Sequence, residues 1–231
     1  MPKGLTKDQN NIAVEAEELF DEVRTDPDFA QKMAKRGYDE ATWDNGRQLL
    51  ADLLAQGRAR AQTEADRFHA TNRFHDLCDR SWDHILPLVQ NSKSLFQGRP
   101  DLLTSLGLHQ SRVNGNGKSR FKYPGKSAPF DQRAPWQRNL LAVAQSDPEI
   151  SAVLPENGYP MEHLATCAAD VEAMFDANHA KERAVTALHH AVADRNDAYK
   201  RLFTWLRCAQ RTAAKVRQRK PKPRLPLASE D

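Results

Sequence analysis

Basic and aromatic side chains alternate in Lys118-Ser119-Arg120-Phe121-Lys122-Tyr123, with Lys126 close behind. A second basic run contains Arg217, Arg219 and Lys220. Cations neutralise phosphates, and aromatic rings offer faces on which unpaired bases stack. These nine positions (Lys118, Arg120, Phe121, Lys122, Tyr123, Lys126, Arg217, Arg219, Lys220) are therefore the candidate nucleic-acid contacts. The competing expectation is that the same charges solubilise a loop or dock onto an acidic part of the chain itself.

Other chemistry is weaker on inspection. Gly117-Lys118-Ser119 matches the end of a phosphate-binding loop, but the glycine required five residues before Gly117 is Arg112. Ser111-Arg112-Val113 carries no strand signal, and Arg120-Phe121-Lys122-Tyr123-Pro124 does not open a helix, so no amide cradle is expected. Eight histidines raise the question of a metal. A di-iron bundle needs paired Glu-x-x-His on facing helices, and none occurs. Asp66-x-x-His69 is nearest, and its counterpart Ala187-x-x-His190 lacks the carboxylate. His189 and His190 are adjacent and point to different helix faces. The cysteines Cys78, Cys167 and Cys208 are odd in number and lack metal-site spacing, so they are expected to be small buried or half-buried apolar residues. No nucleophile–base pair stands in a recognisable context. The expectation is a non-enzymatic chain with no cofactor and no metal.

Charge is sharply partitioned beneath a net +3. Residues 1–96 carry −4 and residues 139–206 carry −5, whereas 97–138 and 207–231 carry +6 each. An acidic helical body thus bears two basic appendages. The N-terminus has no apolar signal-like stretch, and no run of about 18 apolar residues exists. A cytoplasmic protein with no membrane partner is expected.

Helix signals are strong. Asp8 to Arg24 carries Ile12, Leu19, Phe20 and Val23 at helical spacing behind polar capping residues. Thr25-Asp26-Pro27 should cap a short helix bearing Phe29 and Met33, with Gly37 as its stop. A series from Leu50 and Leu54 through Phe68, Cys78, Trp82, Ile85 and Val89 then repeats about every 3.5 residues, the spacing of a coiled-coil-like helix. Such a helix, expected over about 40–97, would be roughly 85–90 Å long. Gly57 is a candidate break and Pro87 a candidate kink, but the apolar phase does not slip at Gly57, so continuity is expected.

The same punctuation recurs 121 residues later without a gap. Asp26-Pro27 matches Asp147-Pro148, Gly37-Tyr38 matches Gly158-Tyr159, and His69-Ala70 matches His190-Ala191. Over 58 positions nine residues are identical, and the apolar phase is shared. An internal duplication follows. The second copy should contain a helix near 136–146, a short helix from Pro148, and a long helix over about 161–218 that runs through Asn178, the counterpart of Gly57. The domains are then a first helical repeat at 1–98, a basic Gly/Pro-rich linker at 99–135, a second repeat at 136–218 and a disordered basic tail at 219–231. Within the linker only 101–106 looks helical.

This duplicated pattern of Asp-Pro, Gly-Tyr and long helix resembles a group of uncharacterised bacterial duplicated helical-bundle proteins. The resemblance implies a fold and no activity.

The expected fold is therefore all-α, with two long antiparallel coiled-coil-like helices flanked by shorter N-terminal ones. Polar residues interrupt the long-helix seam at Glu64, His75, Asn178, Glu182, His189 and Asn196. If the helices centre near Phe68 and His189, His75 faces Glu182, a carboxylate–imidazole clasp within the seam. The expected role is a structural or protein-interaction bundle, acting on a protein partner or by self-association. Nucleic-acid binding through the linker and tail is the alternative, and a metal- or ligand-binding bundle the third.

Overall fold

The computed structural model describes residues 4–112 and 119–217. The fold is all-α. Helix α1 (Lys7–Thr25) opens on a capping box: the Thr6 hydroxyl accepts from the Gln9 amide and the Gln9 side chain accepts from the Thr6 amide at 3.0 Å. Asp26 then caps α2 (Pro27–Ala34) by accepting from the Phe29 amide at 3.0 Å, with Pro27 at the first helical position. The chain leaves α2 through Gly37 at φ +87°, and the Tyr38 amide reaches back to the Met33 carbonyl at 3.2 Å. That left-handed residue lets the last carbonyls find donors, which a side chain at Gly37 would oppose.

The long helix α3 (Glu40–Leu95) runs unbroken through Gly57 and Pro87. A short helix, α4 (Pro100–Ser105), follows. Next comes an antiparallel ribbon of β1 (His109–Arg112) and β2 (Ser119–Lys122), in which Gln110 pairs with Phe121. This ribbon departs from the loop expected there. Phe121 and Tyr123 both pack on the core as half-buried residues, a two-residue period that suits an extended strand.

Helix α5 (Phe130–Ser146) starts six residues earlier than 136, with Pro135 inside its first turns. Phe130 draws it in, since its ring lies 5.3 Å from both Phe74 and Phe175. Asp147 caps α6 (Pro148–Val153), accepting from the amides of Glu149 at 3.0 Å and Ile150 at 3.2 Å. A 3-10 turn at Pro155–Asn157 and Gly158, again at φ +87°, lead into α7 (Met161–Arg217), which is continuous through Asn178. The Tyr159 amide reaches the Leu154 carbonyl at 3.0 Å, as Tyr38 reaches Met33. The expected tail, 219–231, lies outside the described residues.

The chain divides into two compact units. One comprises Met1–Ala65 with Thr186–Asp231, the other Asp66–Val185, so each takes part of both long helices. The first unit buries Ile12, Met33, Trp43, Leu53, Leu202 and Leu206 in one core. The second buries Ile85, Leu88, Leu103, Leu140, Ile150 and Leu164. Each such aliphatic side chain contributes about 1.5–3 kcal/mol relative to exposure. No helix among the described residues is long and apolar enough to cross a membrane.

Candidate functional site

The two described rings of the basic linker pack within its own unit. Tyr123, just beyond β2, stacks on Trp136 of α5 with ring centroids 5.4 Å apart and planes 19° from parallel. Lys93 of α3 brings its ammonium 4.3 Å from the Tyr123 ring centre and 5.1 Å from that of Phe121, and donates to the Tyr123 hydroxyl at 3.3 Å. The Trp136 indole donates to the Gly107 carbonyl at 3.3 Å. Two rings that could stack on bases thus lie against an indole and an ammonium.

Two of the candidate cations, Lys126 and Arg217, are likewise paired. Lys126 sits 2.8 Å from the Asp79 carboxylate. That contact pushes the lysine pKa up and holds Asp79 below the usual carboxylate range. Arg217 forks onto Glu22, its Nε donating at 3.0 Å. Lys122 is exposed. For Arg120 only the backbone, in β2, is described, and Lys118, Arg219 and Lys220 lie outside the described residues. Acidic side chains of α1 and α3 receive these basic appendages, as their opposite charge dictates. Ser119 opens a strand, whereas a phosphate-binding loop would run into a helix there.

Chemistry-bearing groups gather elsewhere in the second unit. Asp170 of α7 lies 2.8 Å from His84 Nδ1 and 3.7 Å from the Arg80 guanidinium, both on α3. The His84 contact is close but not aligned as a hydrogen bond. The His84 and His163 rings are 6.2 Å apart, and His163 Nε2 is 3.7 Å from Cys167 Sγ, one turn along α7. Tyr159 lies beside His163, and its hydroxyl accepts from Asn91 at 3.3 Å.

A Cys–His contact suggests a nucleophile, but only the thiolate attacks. Burial, reinforced by the charge of Asp170, pushes the Cys167 thiol up, so it stays protonated at neutral pH. Cys78 is also raised by burial, against the lowering effect of Arg133. Cys208, expected among the buried or half-buried residues, is exposed. Among the described residues no three His, Cys, Asp or Glu groups converge on a point that could hold a metal. The cluster is thus a set of pairs and not a ligand shell. The i, i+4 spacing of His163 and Cys167 was readable in the sequence; the approach of His84 to Asp170 was not.

Several of the polar seam residues have partners. Glu64 pairs with Arg60 at 2.6 Å, and Asn178 donates to the Glu182 carboxylate at 2.9 Å. His179 lies 3.8 Å from Glu182. Asn196 accepts from Gln9 at 3.2 Å. His75, Glu182 and His189 are exposed. Comparison with protein families, curated proteins and solved structures found no match for the chain.

Proposed function

We propose that the protein is a non-enzymatic, cytoplasmic helical bundle that presents the faces of its long helices to a protein partner. The observation that carries this is the exposure of large aromatics on those helices. Phe68 of α3 is 57% exposed and Phe203 of α7 36% exposed. Tyr199 lies 5.8 Å from the Phe203 ring, and the Arg207 guanidinium lies 5.0 Å over it. Aromatic and arginine side chains are the usual anchors of protein interfaces.

The architecture we propose is a duplication with antiparallel coiled-coil-like long helices, as in the bacterial duplicated bundles that the sequence resembles. Matched punctuation supports the duplication: Asp26 and Asp147 cap equivalent helices, and Gly37 and Gly158 share φ +87°. Contacts within each unit support the antiparallel sense. In the first, Gly46 meets Trp205 and Asp52 meets Arg201. In the second, Phe74 meets Lys181, His84 meets Asp170 and Asn91 meets Tyr159. The Phe74–Lys181 contact lies beside the proposed His75–Glu182 clasp.

Nucleic-acid binding is the rival, favoured by exposed Lys122 and by the half-exposed Arg217. The committed rings of Phe121 and Tyr123 weigh against it. Chromatography on immobilised single-stranded DNA at about 50 mM salt separates the two, because phosphate contacts are strongest at low salt. The bundle should pass unretained. Salt-sensitive retention that Lys122→Ala weakens would replace this proposal with the rival.

A further inference from the structure

A buried arginine normally faces a carboxylate, because an isolated charge is costly to bury. Arg195 of α7 is only 8% exposed. Its Nη1 donates to the Gly4 carbonyl at 3.0 Å and its Nη2 to Asn196 Oδ1 at 3.1 Å, two uncharged acceptors. Asn196 Oδ1 is shared with the amide of buried Gln9. Burial first, and then the charge of Arg60, hold Arg195 below the usual guanidinium range. Geometry places Arg60 of α3 nearby: Gly4, whose carbonyl Arg195 holds, abuts Gly57 and Ala61, and these flank Arg60 on α3. Among the described residues its carboxylate partner is Glu64 at 2.6 Å, and its side chain remains 26% exposed. The Nε atoms of both arginines are buried with no hydrogen-bond partner among the described residues.

All these residues belong to the first compact unit. Among the described residues, two guanidinium groups and one carboxylate leave one positive charge uncompensated, with two N–H donors unused. A guanidinium fork matches the paired oxygens of a phosphate or carboxylate. We propose that Arg60 and Arg195 form a binding site for an oxyanion, which enters at the partly exposed Arg60 and takes up the free Nε donors. Gly4 and Asn196 orient Arg195 for this. Binding would also fasten the N-terminal segment, since Gly4 lies against Gly57 so closely that a Cβ there would fall 1.8 Å from the Gly57 carbonyl oxygen.

The test is a titration of the full chain with sodium phosphate, and separately with sodium malonate, against sodium chloride at matched ionic strength. Arginine Nε–Hε resonances are followed by NMR. The site predicts a saturable shift of two such resonances with at least one of the two oxyanions; which one identifies the ligand class. Arg60→Gln, at the more exposed position, should weaken the midpoint by about tenfold or more through loss of a charge-assisted bond. Glu64→Gln removes the competing carboxylate and should tighten it about threefold or more. Arg195→Gln should abolish the response, and the other two variants decide the matter if it fails to fold. A linear, unsaturable drift with both anions, or midpoints unchanged in Arg60→Gln and Glu64→Gln, overturns the site.

Discussion

Replacing Gly46 with alanine should destabilise the protein, although the same change in most helix interiors stabilises it. Gly46 lies buried within α3, where alanine's intrinsic preference is worth about 1 kcal/mol. A Cβ built there would lie 2.3 Å from Trp205 Cζ2 and 2.4 Å from Cη2. Carbon atoms separate to about 3.5–4.0 Å at best contact, so the indole must retreat by more than about 1 Å. Its path is obstructed. Phe20 lies 5.5 Å and Trp43 5.7 Å from the Trp205 ring centre, the latter edge-on at 79°. Overpacking of this kind costs about 1–3 kcal/mol, leaving a net loss of up to about 2 kcal/mol for Gly46→Ala. Urea unfolding followed by far-ultraviolet circular dichroism measures it without relying on tryptophan emission. In a Trp205→Leu background the clash disappears, and Gly46→Ala should then stabilise by up to about 1 kcal/mol. An alanine that stabilises the wild-type chain would refute the packing described for this cluster.

Alkaline pH should weaken the fold. Burial raises Tyr38, Tyr159, Cys78 and Cys167 above their ordinary values of 10.0 for tyrosine and 9.0 for cysteine. The neutral forms are favoured in the folded state, so their contribution is complete below those values and is lost as pH rises through the folded ones. Melting temperature should fall above about pH 9, less steeply in Tyr159→Phe, and a flat profile to about pH 10.5 would contradict the burial. Asp26→Ala and Asp147→Ala should each cost about 1 kcal/mol in urea unfolding, because each removes a helix N-cap. A double-mutant cycle on His75→Ala and Glu182→Ala at pH 6 should give a coupling above about 0.3 kcal/mol; a smaller value would mean that the two groups act independently and that the proposed clasp is absent.

Local punctuation was the legible part of this fold. Asp26-Pro27 and Asp147-Pro148 act through side-chain oxygens a few residues away, and Gly37 and Gly158 through their own φ, so their effects are written next to them. The apolar phase carried α3 through Gly57 and α7 through Asn178 for the same reason. The ribbon was harder to see. Its alternation is confined to Phe121-Lys122-Tyr123, amid charges that suit a solvated loop, and nothing local to the two rings encodes the Trp136 and Lys93 that occupy them. Local signals place a helix near 136–146, yet α5 begins at Phe130 because two distant phenylalanines, Phe74 and Phe175, hold that ring. Long-range pairings such as His84 with Asp170, and Arg195 with the Gly4 carbonyl, depend on register between segments far apart in the chain. No local spacing encodes them.

The proposed role is tested most directly by placing a photoactivatable phenylalanine analogue at Phe68 and at Phe203, with Arg58 as a control on the same long helix as Phe68. Irradiation in cells of the native host, followed by mass spectrometry of the adducts, reads out what lies against each face. A defined protein adduct, foreign or a second copy of this chain, at Phe68 or Phe203 and absent at Arg58 is the result expected of an interaction bundle. Equal labelling at all three positions, or no protein adduct at either phenylalanine, would contradict it.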